Sequence, residues 1–223
     1  MQQTFFCYNY ENYLLTSLTN VNSVLDLTDS PLLGKGSSRL CYLHPDDPGK
    51  CIKITYTRNP DVEKQELKYY RRHQRRGISW EMLAKTYGSV ETSAGSGVMF
   101  SLARDFDGSI SRTLDRYLAD DRLTPPATVL TELFSNFRSY MLRERIVVRE
   151  LKPDNIVLQR LTPNQQRLIL IDGLGNNQFL PIANYMSTFA KRVIQRKWRR
   201  FEKHLSEEFP DNTIVQRILG IKS

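Results

Sequence analysis

The first half of the chain alternates short apolar stretches with turn-forming residues, a pattern typical of short β-strands. Five such stretches are expected to be strands: residues 32–33, 40–43, 51–55, 87–91 and 98–104. Between the third and fourth, residues 61–76 contain strong helix formers and no glycine or proline, which predicts one helix. Five strands interrupted by a single helix predict an α+β arrangement, with an antiparallel sheet and a helix against it.

The second half of the chain carries a helical pattern instead. An apolar stripe at helical spacing predicts a helix over residues 126–145. A loop is expected over residues 146–155, followed by a hairpin built from residues 156–158 and 168–171. Residues 184–209 are basic and amphipathic, which predicts one helix or a pair of helices.

The change of pattern near residue 105 divides the chain into two lobes. We expect an N-terminal lobe over residues 31–105 and a C-terminal lobe over residues 106–223. Residues 1–30 show no firm periodicity and are expected to form a loosely structured extension. With 223 residues, the chain is long enough for one domain or for two small lobes that share a cleft.

Composition narrows the classes of partner and of site. The formal net charge of +8 and the pI near 9.4 favour anionic partners: nucleotides, phosphorylated substrates, nucleic acid or acidic lipid. The three cysteines include no CxxC pair and no histidine cluster, which argues against a disulfide framework and a zinc site. No segment approaches the run of about 18 apolar residues that a membrane helix needs. The N-terminus also lacks the pattern of a secretory signal, so a cytoplasmic location is expected.

A glycine-bearing turn follows the first predicted strand, in the run Gly34-Lys35-Gly36-Ser37-Ser38-Arg39. Transfer of a γ-phosphoryl group needs backbone N–H groups close to the phosphates, and glycine allows that approach because it has no Cβ. Gly34 and Gly36 are therefore candidate ATP-binding residues, and Arg39 stands where a third glycine would be expected. Taken alone the turn is weak evidence, since a chance turn has the same composition.

Lys53 lies at the centre of a predicted strand, between Ile52 and Ile54. A lysine at this place can reach the α- and β-phosphates of ATP, and a glutamate on the following helix can orient it by ion pairing. Glu66 is preferred for that role because it shares a helix face with apolar residues. Glu63, one helical turn earlier, is the alternative.

The most specific motif is the run LKPDNIVL at residues 151–158, which matches the LKPxNI(V/L)L run that follows the catalytic acid in protein kinases. Asn155 comes five residues after Glu150, the spacing of the kinase catalytic loop. That chemistry needs a carboxylate for the acceptor hydroxyl, a lysine beside the γ-phosphate and an asparagine for the metal. Glu150, Lys152 and Asn155 are the candidates for these roles.

Asp172 ends the second strand of the predicted hairpin and is followed by Gly173-Leu174-Gly175. Kinases place a metal-binding aspartate at this point, so Asp172 is the second candidate ligand for Mg²⁺ or Mn²⁺, together with Asn155. A lone aspartate at a strand end is usually a turn residue. Its position seventeen residues after Asn155, across a hairpin, favours the metal role.

Together these motifs make the chain resemble the YrbL family, the PhoP regulatory network proteins, within the protein-kinase-like superfamily. The matching segments are residues 34–36, 41–42, 44–45, 51–54, 66–70, 88–92, 105–108, 151–153 with 155, and 172 with 174–175. The resemblance implies a minimal bilobal protein-kinase-like fold, with an antiparallel sheet and one helix in the first lobe and a truncated helical second lobe. It also implies a link to a bacterial regulatory response.

Two departures from ordinary kinases bear on activity. Val148-Arg149-Glu150 replaces His-Arg-Asp, and the longer glutamate shifts its carboxylate by about 1 Å, a misplacement that can slow transfer about 100-fold. The turn at Asp172 reads DGLG instead of DFG, which removes the usual aromatic contact.

The last predicted helix is strongly basic, with Trp198 and Phe201 among its cations. The favoured interpretation is a solvated face that the two aromatic residues hold against the core. A surface for an anionic partner is the alternative.

The sequence therefore favours an ATP- and Mg²⁺- or Mn²⁺-dependent phosphotransferase acting on an unidentified phosphate acceptor or regulatory protein. A pseudokinase that binds nucleotide and signals by contact is the second hypothesis, supported by Glu150 and by the altered turn at Asp172. A protein that binds nucleic acid or a response regulator through the basic helix is the third, and it is not favoured.

Overall fold

The computed structural model describes residues 24–56, 60–175 and 187–220. The first elements are three strands, a helix and two strands: β1 (Leu32–Lys35), β2 (Arg39–Leu43), β3 (Lys50–Thr55), α1 (Pro60–Arg75), β4 (Thr86–Thr92) and β5 (Gly95–Ser101). The later elements are mostly helical: α2 (Leu114–Leu118), α3 (Ala127–Glu144), a 3-10 turn (Pro153–Asn155), β6 (Ile156–Thr162), β7 (Gln165–Leu170), α4 (Ser187–Glu208) and α5 (Thr213–Ile218).

The first five strands form one antiparallel sheet in the order β1-β2-β3-β5-β4. The predicted α+β class and the antiparallel sheet are confirmed. β3 lies in the middle of this sheet, and Lys53 at its centre pairs with Cys41 on β2 and Val98 on β5. We call this sheet with α1 the sheet region (residues 24–56 and 60–101).

The two faces of β3 meet different surroundings because its side chains alternate. Ile52 and Ile54 point to one face, where they form a small apolar cluster with Leu27. Cys51 and its neighbour across the sheet, Phe100, join the main core on the other face. Lys53 shares their alternation and therefore lies on the side of the main core.

The predicted extension at residues 1–30 falls largely outside the described residues. Its last part is well packed: Leu25 pairs with Thr92 at the edge of the sheet, and Leu27 is buried. Residues 25–27 therefore pack at the edge of the sheet.

The rest of the described chain, residues 102–175 and 187–220, forms the helical region. Phe137 of α3 is fully buried and contacts Trp198 of α4, which also packs against Phe134 and Phe201. The predicted anchoring of the basic helix by Trp198 and Phe201 is confirmed. The hairpin of β6 and β7 packs beside α3, and the short helices α2 and α5 were not predicted.

The linker between α1 and β4 fastens the two regions together. Ala84 donates a backbone hydrogen bond to the carbonyl of Leu170 (2.9 Å), and the amide of Leu170 donates to Met82 (2.9 Å). These bonds hold the end of β7 against the linker, and Asp172 follows two residues later in the cleft between the regions. Within the described residues, no helix is long and apolar enough to cross a membrane.

Candidate functional site

A cleft of about 680 Å³ lies between the sheet region and the helical region. Seven predicted site residues line it: Gly34, Gly36, Lys53, Glu150, Lys152, Asn155 and Asp172. The eighth, Glu66, is only 2% exposed on α1 and reaches the cleft through a salt bridge to Arg39. The fold thus brings together residues that are up to 138 positions apart in the chain, from Gly34 to Asp172.

Lys53 is held firmly at the back of the cleft. Its Nζ donates a hydrogen bond to the carbonyl of Ile171 (2.7 Å) and lies 3.3 Å from Oδ2 of Asp172. The ammonium also lies 5.1 Å from the ring centroid of Phe100. Although Lys53 is only 8% exposed, its charge is therefore compensated by a carboxylate, a carbonyl and an aromatic face.

Arg39, at the start of β2, joins two carboxylates across the cleft. One guanidinium nitrogen donates to Oε2 of Glu66, and another donates to Oδ1 of Asp172. The predicted ion pair between Lys53 and Glu66 is not formed among the described residues. Arg39 takes that place because its forked head can serve two acceptors at once, whereas Lys53 is drawn toward Asp172. The side chain of Glu63, the alternative partner, lies outside the described residues.

The charges around Asp172 keep it ionised. Burial alone would raise the pKa of its carboxyl, but the positive charges of Lys53 and Arg39 and the amide of Gly173 lower the pKa to about 2. Burial likewise opposes the charge of Arg39, yet Glu66 and Asp172 together raise the pKa of the guanidinium above its ordinary value. The cleft therefore holds two carboxylates and two cations that stabilise one another.

The glycine turn forms one wall of the cleft. The amide of Gly36 donates to the carbonyl of Arg39 (2.8 Å), and the hydroxyl of Tyr56 donates to the carbonyl of Gly36 (2.7 Å). A Cβ placed on Gly34 would meet no atom of the described chain within 4 Å. Packing within the protein therefore does not require glycine at this position, and the open space in front of it belongs to the cleft.

The loop that carries Glu150 is fastened to the turn that carries Asp172. The amide of Arg149 donates to Gly173 (2.8 Å), and the amide of Ile171 donates to the carbonyl of Asn155 (2.9 Å). Gly173 has a φ of +82°, and a Cβ there would lie 3.0 Å from the carbonyl oxygen of Glu150. A larger residue at position 173 would therefore push the two loops apart.

Glu150 and Lys152 lie at the outer edge of the cleft. Nζ of Lys152 is 3.2 Å from Oε2 of Glu150, and their side chains are 38% and 64% exposed, respectively. In contrast to the buried charges around Lys53, this pair is open to solvent and free to rearrange around a ligand.

Residues 25–206 match the family of PhoP regulatory network protein YrbL. The chain belongs to this family. The predicted resemblance to YrbL proteins is therefore confirmed, and the matched segment contains all eight predicted site residues.

Two curated relatives in the YrbL family extend this finding. A protein of Escherichia coli (strain K12) and a protein of Shigella flexneri, both named "Uncharacterized protein YrbL", are each 33% identical over 181 residues. The alignments cover 80% of this chain and 86% of each relative. The two names state the family and no activity.

Sequence reasoning did not assign a role to Arg39, although it noted this residue at the place of a third glycine. Arg39 could have been recognised because it is a basic residue at the start of the strand next to Lys53. Cross-strand neighbours on one face of a sheet lie close together. The two carboxylates that Arg39 joins come from α1 and from the turn after β7, and their meeting is a property of the tertiary fold.

Cys41 is a second residue of the cleft that the sequence motifs did not indicate. Cys41 and Cys51 both line the cleft beside Lys53; Cys41 is half-buried, whereas Cys51 is only 4% exposed. A hydrogen bond with Cys51 lowers the pKa of the Cys41 thiol to about 7; burial opposes this shift, and the charges of Lys53 and Arg39 support it. The same hydrogen bond, together with burial, raises the pKa of Cys51 well above its ordinary value.

Proposed function

We propose that this protein is an ATP- and Mg²⁺- or Mn²⁺-dependent phosphotransferase with a minimal bilobal protein-kinase-like fold, acting in a bacterial regulatory response. The observation that carries the proposal is the meeting of Lys53, Asn155 and Asp172 at one cleft beneath the glycine turn. A lysine from a sheet and an asparagine and an aspartate from the facing loops are the set that phosphoryl transfer from ATP requires. The regulatory context rests on the family name alone.

The glycine turn would cover the phosphates of ATP. Gly34 leaves open space where any other residue would place a Cβ, which suits a close approach of phosphate oxygens to the backbone. Lys53 would contact the α- and β-phosphates from the opposite side, and Glu66 would act on the site through Arg39 instead of by direct contact with Lys53. Arg39 adds a second positive charge that faces the same space.

The residues present fit a divalent metal ion. Mg²⁺ prefers oxygen ligands, which the carboxylate of Asp172 and the amide oxygen of Asn155 supply, and the low pKa of Asp172 keeps it ionised. Oδ1 of Asp172 already accepts from Arg39 and from the amide of Gly173, whereas Oδ2 is engaged by Lys53 alone and retains a lone pair for the metal. Bound there, the metal would neutralise charge on the phosphates during transfer.

The outer pair would serve the acceptor. In the proposed step, the hydroxyl oxygen of the acceptor attacks the γ-phosphorus, the bond from that phosphorus to the oxygen of ADP breaks, and the hydroxyl proton passes to Glu150. Lys152 would balance charge on the transferred group. Their mutual salt bridge of 3.2 Å places both side chains at the mouth of the cleft, where an acceptor would enter.

A nucleotide-binding pseudokinase is the second candidate, and a specific observation favours it. Both oxygens of Asp172 are already engaged by Arg39 and Lys53, so a metal ion must share this carboxylate with two cations. If sharing weakens the metal site, the cleft would bind ATP and change the protein's contacts without transferring phosphate.

Incubation of the pure protein with labelled ATP and either Mg²⁺ or Mn²⁺ separates these candidates. Autophosphorylation or ATP turnover that disappears in the Lys53→Met variant supports the phosphotransferase. A thermal shift with ATP in the absence of turnover supports the pseudokinase. Absence of any nucleotide-induced shift would overturn both, and retention on DNA that weakens steeply with salt would then indicate a nucleic-acid partner.

A further inference from the structure

A second pocket, of about 420 Å³, opens next to the proposed catalytic loop. We call it the α4 pocket, because its floor is one face of that helix. Its lining consists of Arg149, Glu150, Leu151, Lys197, Arg200, Lys203, His204 and Glu207. Arg149 and Glu150 also line the main cleft, so the two spaces meet at the residue proposed to receive the acceptor proton.

The lining of the α4 pocket is unbalanced in charge. It contains four arginine or lysine residues and two glutamates, a formal surplus of two positive charges with His204 neutral. Both glutamates already have cationic partners: Glu150 pairs with Lys152, and Glu207 pairs with Lys203 at 3.4 Å. No described carboxylate lies within 4 Å of the guanidinium of Arg200, which leaves its charge available to a ligand.

One cation of the α4 pocket, Lys197, is tied to the neighbouring loop, and the helix that carries the others is anchored in the core. Nζ of Lys197 donates a hydrogen bond to the backbone carbonyl of Arg149, which ties α4 to the catalytic loop. Trp198 and Phe201 anchor the same turns of the helix in the core. Burial, followed by the nearby charges of Arg200 and Arg196, lowers the pKa of Lys197, as expected where positive charge is concentrated.

A uniformly solvated basic helix would explain the charge of α4 but not its arrangement. Lys191 and Arg199 are exposed on the same helix and line neither pocket. The residues of the α4 pocket differ from them because they form a concave wall beside Glu150. They therefore define a site, and Lys191 and Arg199 provide matched controls.

We propose that the α4 pocket binds the phosphate group of a small phosphorylated acceptor, so that a free hydroxyl of the same molecule lies next to Glu150. The volume suits a small molecule, since ligand pockets span roughly 300–1,000 Å³. Arginine and lysine together are the usual ligands of phosphate in proteins. The assignment of the acceptor rests on the proposed function. The binding of phosphate in the α4 pocket does not depend on it.

In the resulting reaction, the acceptor keeps its existing phosphate and gains a second one at the hydroxyl. The acceptor oxygen bonds to the γ-phosphorus, ADP leaves with the electrons of the broken phosphorus–oxygen bond, and the hydroxyl proton is released through Glu150. The α4 pocket takes no part in bond making. It holds the acceptor by the charge that the acceptor already carries, which fixes the distance between hydroxyl and cleft.

Calorimetric titration with inorganic phosphate and with glycerol 3-phosphate, at constant ionic strength, tests the site. Glycerol is the uncharged counterpart. We expect both phosphates to bind and glycerol not to bind. The double variant Arg200→Gln/Lys203→Gln should weaken phosphate binding about tenfold or more, because two charge-assisted contacts are lost. The control Lys191→Gln/Arg199→Gln removes the same charge and should stay within about twofold of the wild type.

Further outcomes distinguish a failure of the anion-site proposal from a failure of the phosphotransferase proposal. Phosphate binding that survives in Lys53→Met places the anion in the α4 pocket, whereas its loss there would place the anion in the main cleft and overturn the proposal. Equal weakening in both double variants, or no phosphate binding by the wild type, would also overturn it. If ATP fails to bind while phosphate binding depends on Arg200 and Lys203, the phosphotransferase is wrong and the anion site stands.

Discussion

The two sides of the cleft use charge in opposite ways. On the side proposed to bind nucleotide, here called the nucleotide side, Arg39, Lys53, Glu66 and Asp172 are buried or half-buried and neutralise one another across the sheet and the facing loop. On the side proposed to receive the acceptor, the acceptor side, Glu150 and Lys152 form a pair that is open to solvent. The first arrangement fixes positions before a ligand arrives, and the second leaves side chains free to follow a ligand.

An ion pair therefore contributes differently to stability on each side of the cleft. An exposed ion pair contributes little to stability, because water already solvates both charges. Removal of one member of a buried pair is strongly destabilising, because the other charge is left without compensation. Substitutions on the nucleotide side should consequently affect folding and binding together, whereas substitutions on the acceptor side should affect turnover alone.

The largest expected effect follows from Asp172→Asn compared with Glu150→Gln. Both changes remove a negative charge without altering size, but only Asp172 is expected to hold the metal. Asp172→Asn should lower Mg²⁺-dependent ATP affinity about 100-fold or more, an amount that corresponds to about 2.7 kcal/mol. Glu150→Gln should leave that affinity close to the wild type and should reduce turnover. Calorimetric titration with ATP, with Mg²⁺ or with a chelator, measures the difference.

Equal ATP affinity in the two variants would remove the distinction between the two sides of the cleft. Thermal unfolding of both proteins provides the control, because a loss of binding is informative only when the variant is folded. A chelator that leaves wild-type ATP affinity unchanged would likewise contradict the metal role of Asp172.

The next effect concerns stability. Arg39→Met leaves Glu66 buried without a positive partner, and the second carboxylate oxygen of Glu66 already lacks a hydrogen-bond partner among the described residues. We expect the free energy of unfolding to fall by about 3 kcal/mol. The double variant Arg39→Met/Glu66→Met should recover most of this loss, because no unpaired charge remains.

Arg122→Met provides the matched control, since it breaks an exposed pair with Asp120. Its stability should stay close to that of the wild type in urea unfolding. If Arg39→Met is equally harmless, or if the double variant is less stable than the single one, then the buried pair does not hold α1 to the cleft.

Local pattern was sufficient to predict most elements of the sheet region. The strand positions and α1 follow from apolar alternation and helix formers. The face of α1 on which Glu66 was expected to lie with apolar residues is buried, at Glu66 and at Tyr70. The short helices α2 and α5 were missed because helices of five and six residues carry too few periods to be recognised.

The site could be predicted as a set of residues but not as a network. Motif spacing identified Lys53 and Asp172, and both lie in the cleft. Their ion-pair partners depend on which side chains the tertiary fold brings within about 4 Å, which sequence spacing does not determine. Arg39 therefore replaced Lys53 as the partner of Glu66. The α4 pocket was not predicted for the same reason, since Arg149 and Lys197 meet only in the folded chain, where α4 contacts the loop at residues 149–152.

A smaller effect is expected in the pH dependence of stability, and it also involves the nucleotide side. The pKa of Asp172 is about 2 in the folded protein, against 3.8 as its ordinary value, so its ionised form is favoured by folding. This contribution is present above pH 3.8 and is lost as the pH falls toward 2. In Asp172→Asn the loss of stability between these pH values should be shallower, by an amount on the order of 1 kcal/mol. Urea unfolding at pH 5 and pH 3 measures it, and parallel pH profiles for the two proteins would contradict it.

The smallest expected effect is a shift in the reactivity of one thiol. The pKa of Cys41 is about 7 because of its hydrogen bond with Cys51, opposed by burial and supported by the charges of Lys53 and Arg39. Alkylation of Cys41 by iodoacetamide should therefore rise with a midpoint near pH 7, while buried Cys51 stays unreactive. Mass mapping of peptides separates the two thiols from Cys7.

Lys53→Met should move the midpoint for Cys41 upward, because it removes a positive charge that stabilises the thiolate. ATP with Mg²⁺ should slow the reaction at every pH, since Cys41 lines the cleft that the nucleotide would fill. Arg199→Gln, distant from the cleft, should change neither the midpoint nor the protection. A midpoint near 9 in the wild type would show that neither the hydrogen bond nor the nearby cations lower the pKa of Cys41. Alkylation unaffected by ATP would place the nucleotide outside this cleft.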